Sequence, residues 1–227
     1  MLSPDEIKRL VGREAVSLVK QDMTIGIGSG STVLYFIEAL GEKVRNGFTC
    51  KGVPTSLQTL SLAHQHGITM LELNDVDHID IDVDGADEID EKFQLIKGGG
   101  GALLQEKMVA AASGQVIIIA DSAKLKSQLG TFPLPVEVIP YGWKKVQQQI
   151  KQNWSVDSSL RMKNNQPLLT DHGHYILDCH FKNIPGPSEL NNVLSLMPGV
   201  VETGLFINLC DVAIIGYPDG TIKRLAK

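Results

Sequence analysis

Strand-length apolar runs alternate with helix-period segments through the first half of the chain, and that alternation leaves few folds open. Met23–Gly28, Phe48–Val53, Ile68–Leu73, Ile79–Val83 and Val116–Ala120 read as strands. Between them Thr32–Val44, Ser56–His66 and Ala102–Ala112 carry helical periodicity, the first stopping near Gly47 and the second at Gly67. Neighbouring parallel strands need a long crossover, and a helix is the common one. The pattern therefore predicts an α/β fold whose largely parallel sheet is covered on both faces. A further helix stands first. Ser3 can cap it, Pro4 fits its first position, Glu6 completes a capping box, and Ile7, Leu10, Val11, Ala15, Leu18 and Val19 recur at helical spacing.

The pattern changes after Lys124. Phe132-Pro133-Leu134-Pro135-Val136 holds two prolines and reads as a connection, not a central strand. A helix is expected over Tyr141–Gln152, then two strands flanking the turn-like Asp171-His172-Gly173-His174, a helix over Pro187–Met197 and a strand over Val201–Asn208. This order predicts a second, smaller α+β domain of ferredoxin-like type. Asp211–Leu225 reads as a hairpin around Pro218-Asp219-Gly220 that returns to the main sheet. The expected division is residues 1–130 with 207–227 as the main domain and 131–206 as the small one.

Of the 227 residues 43% are hydrophobic, enough for a sizeable core. The net charge of −5, with no long basic run, argues against a nucleic-acid partner. It does not argue against a small anion, which needs only a local positive site. The longest apolar run, Val116-Ile117-Ile118-Ile119-Ala120, is strand-sized and far short of the ~18 residues of a membrane span. The opening MLSPDEIKRL lacks the layout of a signal peptide, so neither membrane nor secretion is expected. Cys50, Cys179 and Cys210 are odd in number and widely spaced, which argues against a disulfide framework or a zinc site. A cytoplasmic protein with three inert buried thiols is the natural reading.

Gly26-Ile27-Gly28-Ser29-Gly30-Ser31-Thr32 lies between an expected strand and an expected helix. Glycines let backbone approach a ligand, the first turn of a helix offers free N–H groups to an anion, and Ser29, Ser31 and Thr32 add hydroxyls. The dinucleotide fingerprint fails because the third glycine comes one residue early, and because Lys51-Gly52-Val53-Pro54 offers no acid for a ribose hydroxyl. The Walker pattern fails for want of a Gly-Lys-Ser/Thr. The remaining choices are a phosphate loop and a plain strand-to-helix turn.

Asp80 to Glu91 formally satisfies the calcium-loop pattern, with Asp80, Asp82, Asp84 and Glu91 as ligands and Gly85 at the turn. Context rejects it. Ile79-Asp80-Ile81-Asp82-Val83-Asp84 alternates as a strand does, which sends the three aspartates to one face. The better reading is a strand end that presents Asp84 and Asp87 at the carboxyl edge of the sheet, where ligands of open α/β folds collect. Asp90 and Glu91 then belong to a solvated turn.

Lys97-Gly98-Gly99-Gly100-Gly101 runs directly into the helix that carries Glu106. Four consecutive glycines outside a linker suggest backbone wrapped close to something, against the alternative of a flexible surface loop. Glu106 could be a mere partner of the helix dipole. A carboxylate base beside an ammonium group and a phosphate site is also what enediolate chemistry requires, with no metal or nicotinamide.

Together these stretches resemble the ribose-5-phosphate isomerases of type A. The resemblance rests on residues 26–32, on Val83-Asp84-Gly85-Ala86-Asp87-Glu88 and on Lys97–Lys107. It extends to Asp121-Ser122-Ala123-Lys124, Phe132–Val138, Pro198-Gly199-Val200 and Gly204-Leu205-Phe206. It implies interconversion of ribose 5-phosphate and ribulose 5-phosphate in the pentose phosphate pathway, without cofactor or metal. It implies Glu106 as the base between C1 and C2, with Asp84, Asp87 and Lys97 handling ring opening, hydroxyl protons and the oxyanion. Ser29, Gly30, Ser31, Thr32, Lys124, the Asp84-Gly85-Ala86-Asp87 run and the backbone of Lys97, Gly98, Gly99 and Gly100 would contact the sugar phosphate. The fold implied is a Rossmann-like α/β domain with a small α+β domain, in a homodimer, with a homotetramer as the other assembly of the family. The chain departs from the family at Asp171-His172-Gly173-His174, where Asp-Asn-Gly-Asn is frequent, and at Gly186-Pro187, where Asp-Pro is.

Two other classes remain open on residues alone. A sugar-phosphate sensor on the same fold would keep the loop and could dispense with the base, yet Glu106, Lys97 and both aspartates are present. An amino-sugar phosphate deaminase or a coenzyme A transferase shares the wider fold group, and the transferase also uses a glutamate. The chain is short for a two-part transferase. A glycosidase with paired carboxylates would leave the phosphate loop unexplained.

Overall fold

The capping box forms as expected: Glu6 donates its N–H to Ser3 Oγ, and Ser3 returns its own to Glu6 Oε2 at 2.7 Å. It starts α1 (Pro4–Val16) of the computed structural model, which describes residues 1–227. The contacts of the chain divide it into two units. One comprises Met1–Ala86, Gln105–Leu125 and Asn208–Lys227, the other Asp87–Leu104 and Lys126–Ile207. Asp87–Leu104, assigned by sequence to the first domain, thus clusters with the second unit. Elements are numbered along the chain.

In the first unit β1 (Thr24–Ile27), α2 (Ser31–Arg45), β2 (Lys51–Pro54), α3 (Leu57–Gln65), β3 (Thr69–Met70) and β4 (Ile81–Asp84) follow α1. The unit continues through most of α4 (Leu103–Ala111) to β7 (Val116–Asp121), and it ends with the hairpin β15 (Val212–Gly216) and β16 (Ile222–Ala226). These strands form one sheet in the order β16-β15-β7-β4-β1-β2-β3, parallel throughout except for β16. Ile25, Ile27, Val83, Ile117, Ile119 and Ile214 pack from one face against Val11 and Ala15 of α1 and Phe36, Ile37 and Leu40 of α2. Each such side chain contributes roughly 1.5–3 kcal/mol by leaving water. On the other face Val109 of α4 packs against Val53 and Ile79.

The second unit holds β8 (Leu134–Val138), α5 (Trp143–Trp154), β9 (Ser158–Leu160), β12 (Tyr175–Cys179), α6 (Pro187–Ser195) and β13 (Val200–Thr203). Their antiparallel sheet has the order β13-β8-β12-β9. That is the ferredoxin-like β-α-β-β-α-β arrangement. Between β9 and β12 lies the small hairpin β10 (Met162–Lys163) with β11 (Gln166–Pro167). A separate sheet joins β5 (Glu88–Ile89), β6 (Leu95–Ile96) and β14 (Leu205–Phe206) in the order β14-β6-β5. That pairing explains why 87–104 belongs to this unit.

Several expectations need correction. Phe132–Val136 is not a connection: Leu134–Val138 is a central strand. Pro135 is tolerated because its carbonyl accepts from Gly204 N at 2.7 Å, so its missing N–H faces the edge where β13 has already ended at Thr203. The single strand expected over Val201–Asn208 is two, broken at Gly204, where a Cβ would meet Lys97 O at 2.5 Å. Ile68–Leu73 reduces to a two-residue edge strand, because Leu73–Asp75 turns into a 3-10 helix. The segment before Lys51 is not paired as strand, and α5 begins at Trp143 rather than Tyr141.

All three cysteines are buried and free. Burial pushes Cys179 and Cys210 up to about 12, each helped by a neighbouring aspartate, and raises Cys50. Thiols this far above neutral pH are poor nucleophiles. No helix is long and apolar enough to cross a membrane.

Candidate active site

The order of the first sheet reverses between β1 and β4: β2 and β3 extend from one side of β1, β4 and β7 from the other. Ligands of open α/β sheets bind at the carboxyl ends of strands at such a switch point. Sequence dictates what gathers there. Along β1, Ile25 and Ile27 enter the core while Gly26 and Gly28 face the other side. Along β4, Ile81 and Val83 enter the core while Asp82 and Asp84 share the glycine side, with Gly26 in register with Asp82. The glycines are space for the carboxylates: a Cβ on Gly28 would stand 2.0 Å from Asp84 Oδ1, and one on Gly26 2.6 Å from Asp82 Oδ1. Both aspartates are 1% exposed.

Asp84 Oδ1 accepts the N–H of Ser29 at 3.1 Å and that of Gly85 at 2.7 Å. The carboxylate thus ties the loop after β1 to the loop after β4. Ser29 Oγ lies 2.8 Å from Thr55 Oγ1, 2.7 Å from Ser56 Oγ and 3.1 Å from Thr59 Oγ1, and Thr59 in turn donates to Gly28 O at 2.8 Å. This hydroxyl cluster, built where β2 runs into α3, fixes the loop. Sequence reading gave Ser56 only a place at the start of a helix and passed over Thr55 and Thr59. Their signal was the run Thr55-Ser56 directly after an expected strand.

Gly30, at a φ of +110°, is the N-cap of α2, and Ser31 and Thr32 form its first turn. Serines cap α1 and α3, whereas no side chain caps α2 and no acid lies in its first turn. That leaves N–H groups and a favourable dipole for an anion. At the end of β7, beside β4, a 3-10 turn over Ser122–Lys124 is capped by Asp121 and carries the half-buried Lys124. Gly28–Thr32, Asp84–Ala86 and Lys124 therefore lie at the carboxyl ends of three adjacent parallel strands. Glu106 sits in the first turn of α4 and is 4% exposed.

The second unit places Asp87 and the glycine run together. Asp87 Oδ2 accepts the N–H of Gly99 at 2.8 Å, and a Cβ on Gly99 would stand 2.6 Å from the same carboxylate. Lys97 is 3% exposed, with Nζ 5.3 Å from the centre of the Phe206 ring. Its N–H donates to Gly204 O at 2.9 Å, while Gly99 and Gly100 are exposed. The guanidinium of Arg161, which sequence reading did not single out, donates to Gly98 O at 2.6 Å and Gly99 O at 3.1 Å. Glu88 is structural: its two oxygens accept the N–H groups of Gly130 and Phe132, each at 2.7 Å. Asp90 closes the β5–β6 turn by accepting from Lys92 and Gln94, and Glu91 is solvated.

His174 also has a structural place. Its Nδ1 lies 2.9 Å from Glu137 Oε1, which accepts from Thr170 Oγ1 at 2.9 Å. Gly186 caps α6 without a side-chain hydrogen bond. Asp82 and Asp84 lie on a strand and not in a calcium loop.

Residues 51–220 match the family model described as ribose 5-phosphate isomerase A (phosphoriboisomerase A). The chain is 52% identical over 215 residues to a ribose-5-phosphate isomerase A of Bacillus cereus (strain ATCC 10987 / NRS 248), covering 94% of this chain and 97% of that one. A solved D-ribose-5-phosphate isomerase in complex with phospho-erythronic acid aligns over 100% of both chains with a TM-score of 0.96 at 39% identity. The ribose 5-phosphate isomerase of Plasmodium falciparum aligns over 98% of this chain and 99% of its own, with a TM-score of 0.95 at 37% identity.

Proposed function

The chain belongs to the ribose 5-phosphate isomerase A family, and from that premise we propose that it interconverts ribose 5-phosphate and ribulose 5-phosphate through an enediolate, with Glu106 as base and no metal. The observation that carries the reading is the Asp84 tie at the switch point, next to an uncapped helix start suited to a phosphate. Glu106 takes the C2 proton of the open aldose. The C–H electron pair becomes the C1–C2 double bond, and the carbonyl oxygen takes the negative charge. The same carboxyl returns the proton to C1, and the C2 oxygen becomes the ketose carbonyl. Lys97 stabilises the oxyanion, and the backbone of the Lys97–Gly100 run contacts the sugar. Asp84 and Asp87 move the hydroxyl protons and open the ring.

Ser29, Gly30, Ser31, Thr32 and Lys124 hold the phosphate. A charged hydrogen bond of this kind is worth roughly 1.5–3 kcal/mol. Lys124→Ala is therefore expected to raise KM about tenfold or more with kcat nearly unchanged, the pattern of uniform binding. Steady-state kinetics reads it, and a loss confined to kcat would place Lys124 in the transition state instead.

Running the reaction in deuterium oxide tests the enediolate. Solvent deuterium at C1 of the ketose, read by mass spectrometry, is expected. Complete turnover with none incorporated would point to a hydride shift.

A cytoplasmic homodimer serving the pentose phosphate pathway completes the proposal. The second unit supports it by exposing Tyr141 at 90% and Leu196 at 84%. Sedimentation equilibrium should give twice the chain mass of 24.7 kDa, and the single-chain mass would overturn it.

A further inference from the structure

Arg161 follows β9, where its own N–H donates to Ile176 O at 2.8 Å. Its side chain is 13% exposed and engages three groups at once. Nε donates to Asp178 Oδ2 at 2.9 Å, and Nη2 meets Asp178 Oδ1, a bidentate pair. Nη1 donates to Gly98 O and Gly99 O. The guanidinium is thus locked by Asp178 and turns its third nitrogen, Nη1, to two consecutive carbonyls of the glycine run.

A planar trans peptide points its C=O and N–H in opposite directions. Holding Gly98 O toward Arg161 therefore aims Gly99 N–H away from it, and there Asp87 Oδ2 accepts that N–H at 2.8 Å. The peptide between Gly98 and Gly99 is gripped at both ends by opposite charges. This matters because the run is glycine: Gly98 sits at a φ of +97° in a permissive stretch of backbone, where the turn bond from Gly101 N–H to Gly98 O at 3.0 Å also bears on the same carbonyl. Reversed, the same peptide would turn a carbonyl oxygen toward the Asp87 carboxylate.

We propose that Arg161 is a positioning residue for the isomerisation, acting through the 98–99 peptide to hold Asp87 in its working orientation. The proposal rests on the reading that Asp87 moves protons of the bound sugar. It predicts a specific coupling. Arg161→Ala lowers kcat by about tenfold or more with KM changed far less, within the roughly 10²-fold that misplacing a reacting group by about 1 Å can cost. Asp87→Asn also lowers kcat. The double variant falls within about twofold of the worse single variant, because both changes break one chain of contacts. Millimolar methylguanidinium restores part of the Arg161→Ala rate and none of the Asp87→Asn rate.

The experiment is that cycle on the full chain, with thermal unfolding followed alongside. Removing Arg161 strands Asp178, which is 19% exposed, so Arg161→Lys serves as the second variant. It keeps the charge but not the fork, and in a cycle with Asp87→Asn it decides the case even if Arg161→Ala fails to fold. A kcat within about twofold of the parent on changing Arg161, while Asp87→Asn is impaired, would overturn the positioning role alone; so would losses that multiply fully in the double variant. An Asp87→Asn enzyme as fast as the parent would overturn the reading of Asp87 and the proposal with it.

Discussion

Glu106→Gln is expected to lower kcat by about 10³-fold, within the 10²–10⁴ that a positioned base supplies, while KM moves less than about threefold. A tenfold change is about 1.4 kcal/mol, so the loss corresponds to roughly 4 kcal/mol of transition-state stabilisation. Glutamine nearly matches glutamate in volume and keeps an oxygen and hydrogen-bonding capacity. The helix around the side chain, which is 4% exposed, should therefore remain in place. The variant should still bind inorganic phosphate about as tightly as the parent, since the proposed phosphate site is untouched. Kinetics and a binding titration on one preparation separate the two effects. Loss of both binding and rate would mean that the site had collapsed, and an unchanged rate would remove Glu106 from the mechanism.

Gly28→Ala should be the most damaging single-methyl change in the first unit. The new Cβ would stand 2.0 Å from Asp84 Oδ1, 2.1 Å from its Cγ and 2.6 Å from its Cα, so neither a rotamer change nor a small side-chain shift relieves it. The backbone of β1 or β4 must move at the point where Asp84 ties the two loops together. Overpacking a core costs about 1–3 kcal/mol and occasionally more, and a chain of this size loses roughly 2–4 °C of Tm per kcal/mol. A Tm lower by roughly 6–12 °C is expected from about 3 kcal/mol. Displacing Asp84 by even about 1 Å should also cost about 10²-fold in kcat/KM. Calorimetry and the isomerase assay check both. Gly30→Ala is the contrast: its Cβ would meet nothing within 4 Å, so only the φ of +110° opposes it. Equal effects at the two positions would show that the contact with Asp84 is not what demands glycine at 28.

These two sites also show how much could be read from the sequence. The alternation of Ile25-Gly26-Ile27-Gly28 against Ile81-Asp82-Val83-Asp84 is local information. It gives strands, faces and the strand end bearing Asp84, and the structure keeps all three. The capping box of α1 and the glycine run before α4 are local in the same sense. What was not legible depends on partners remote in the chain. Pro135 argues against a central strand until β13 is seen to end beside it, more than sixty residues later. Gly204 looks like part of one strand until the carbonyl of Lys97 arrives against it. Arg161 lies in a largely polar stretch without a motif, and only the tertiary fold brings it to Gly98. Thr55 and Thr59 are ordinary residues by composition, and their value comes from meeting Ser29 across β1 and β2. Short-range pattern thus exposes what a strand or helix presents, while the contacts that hold it still come from elsewhere.

The most direct measurement mixes the purified chain, in excess chelator, with ribose 5-phosphate and follows ribulose 5-phosphate, with Glu106→Gln run in parallel. The account predicts ketose from the parent protein and about a thousandfold less from the variant. No ketose from well-folded parent protein would contradict it.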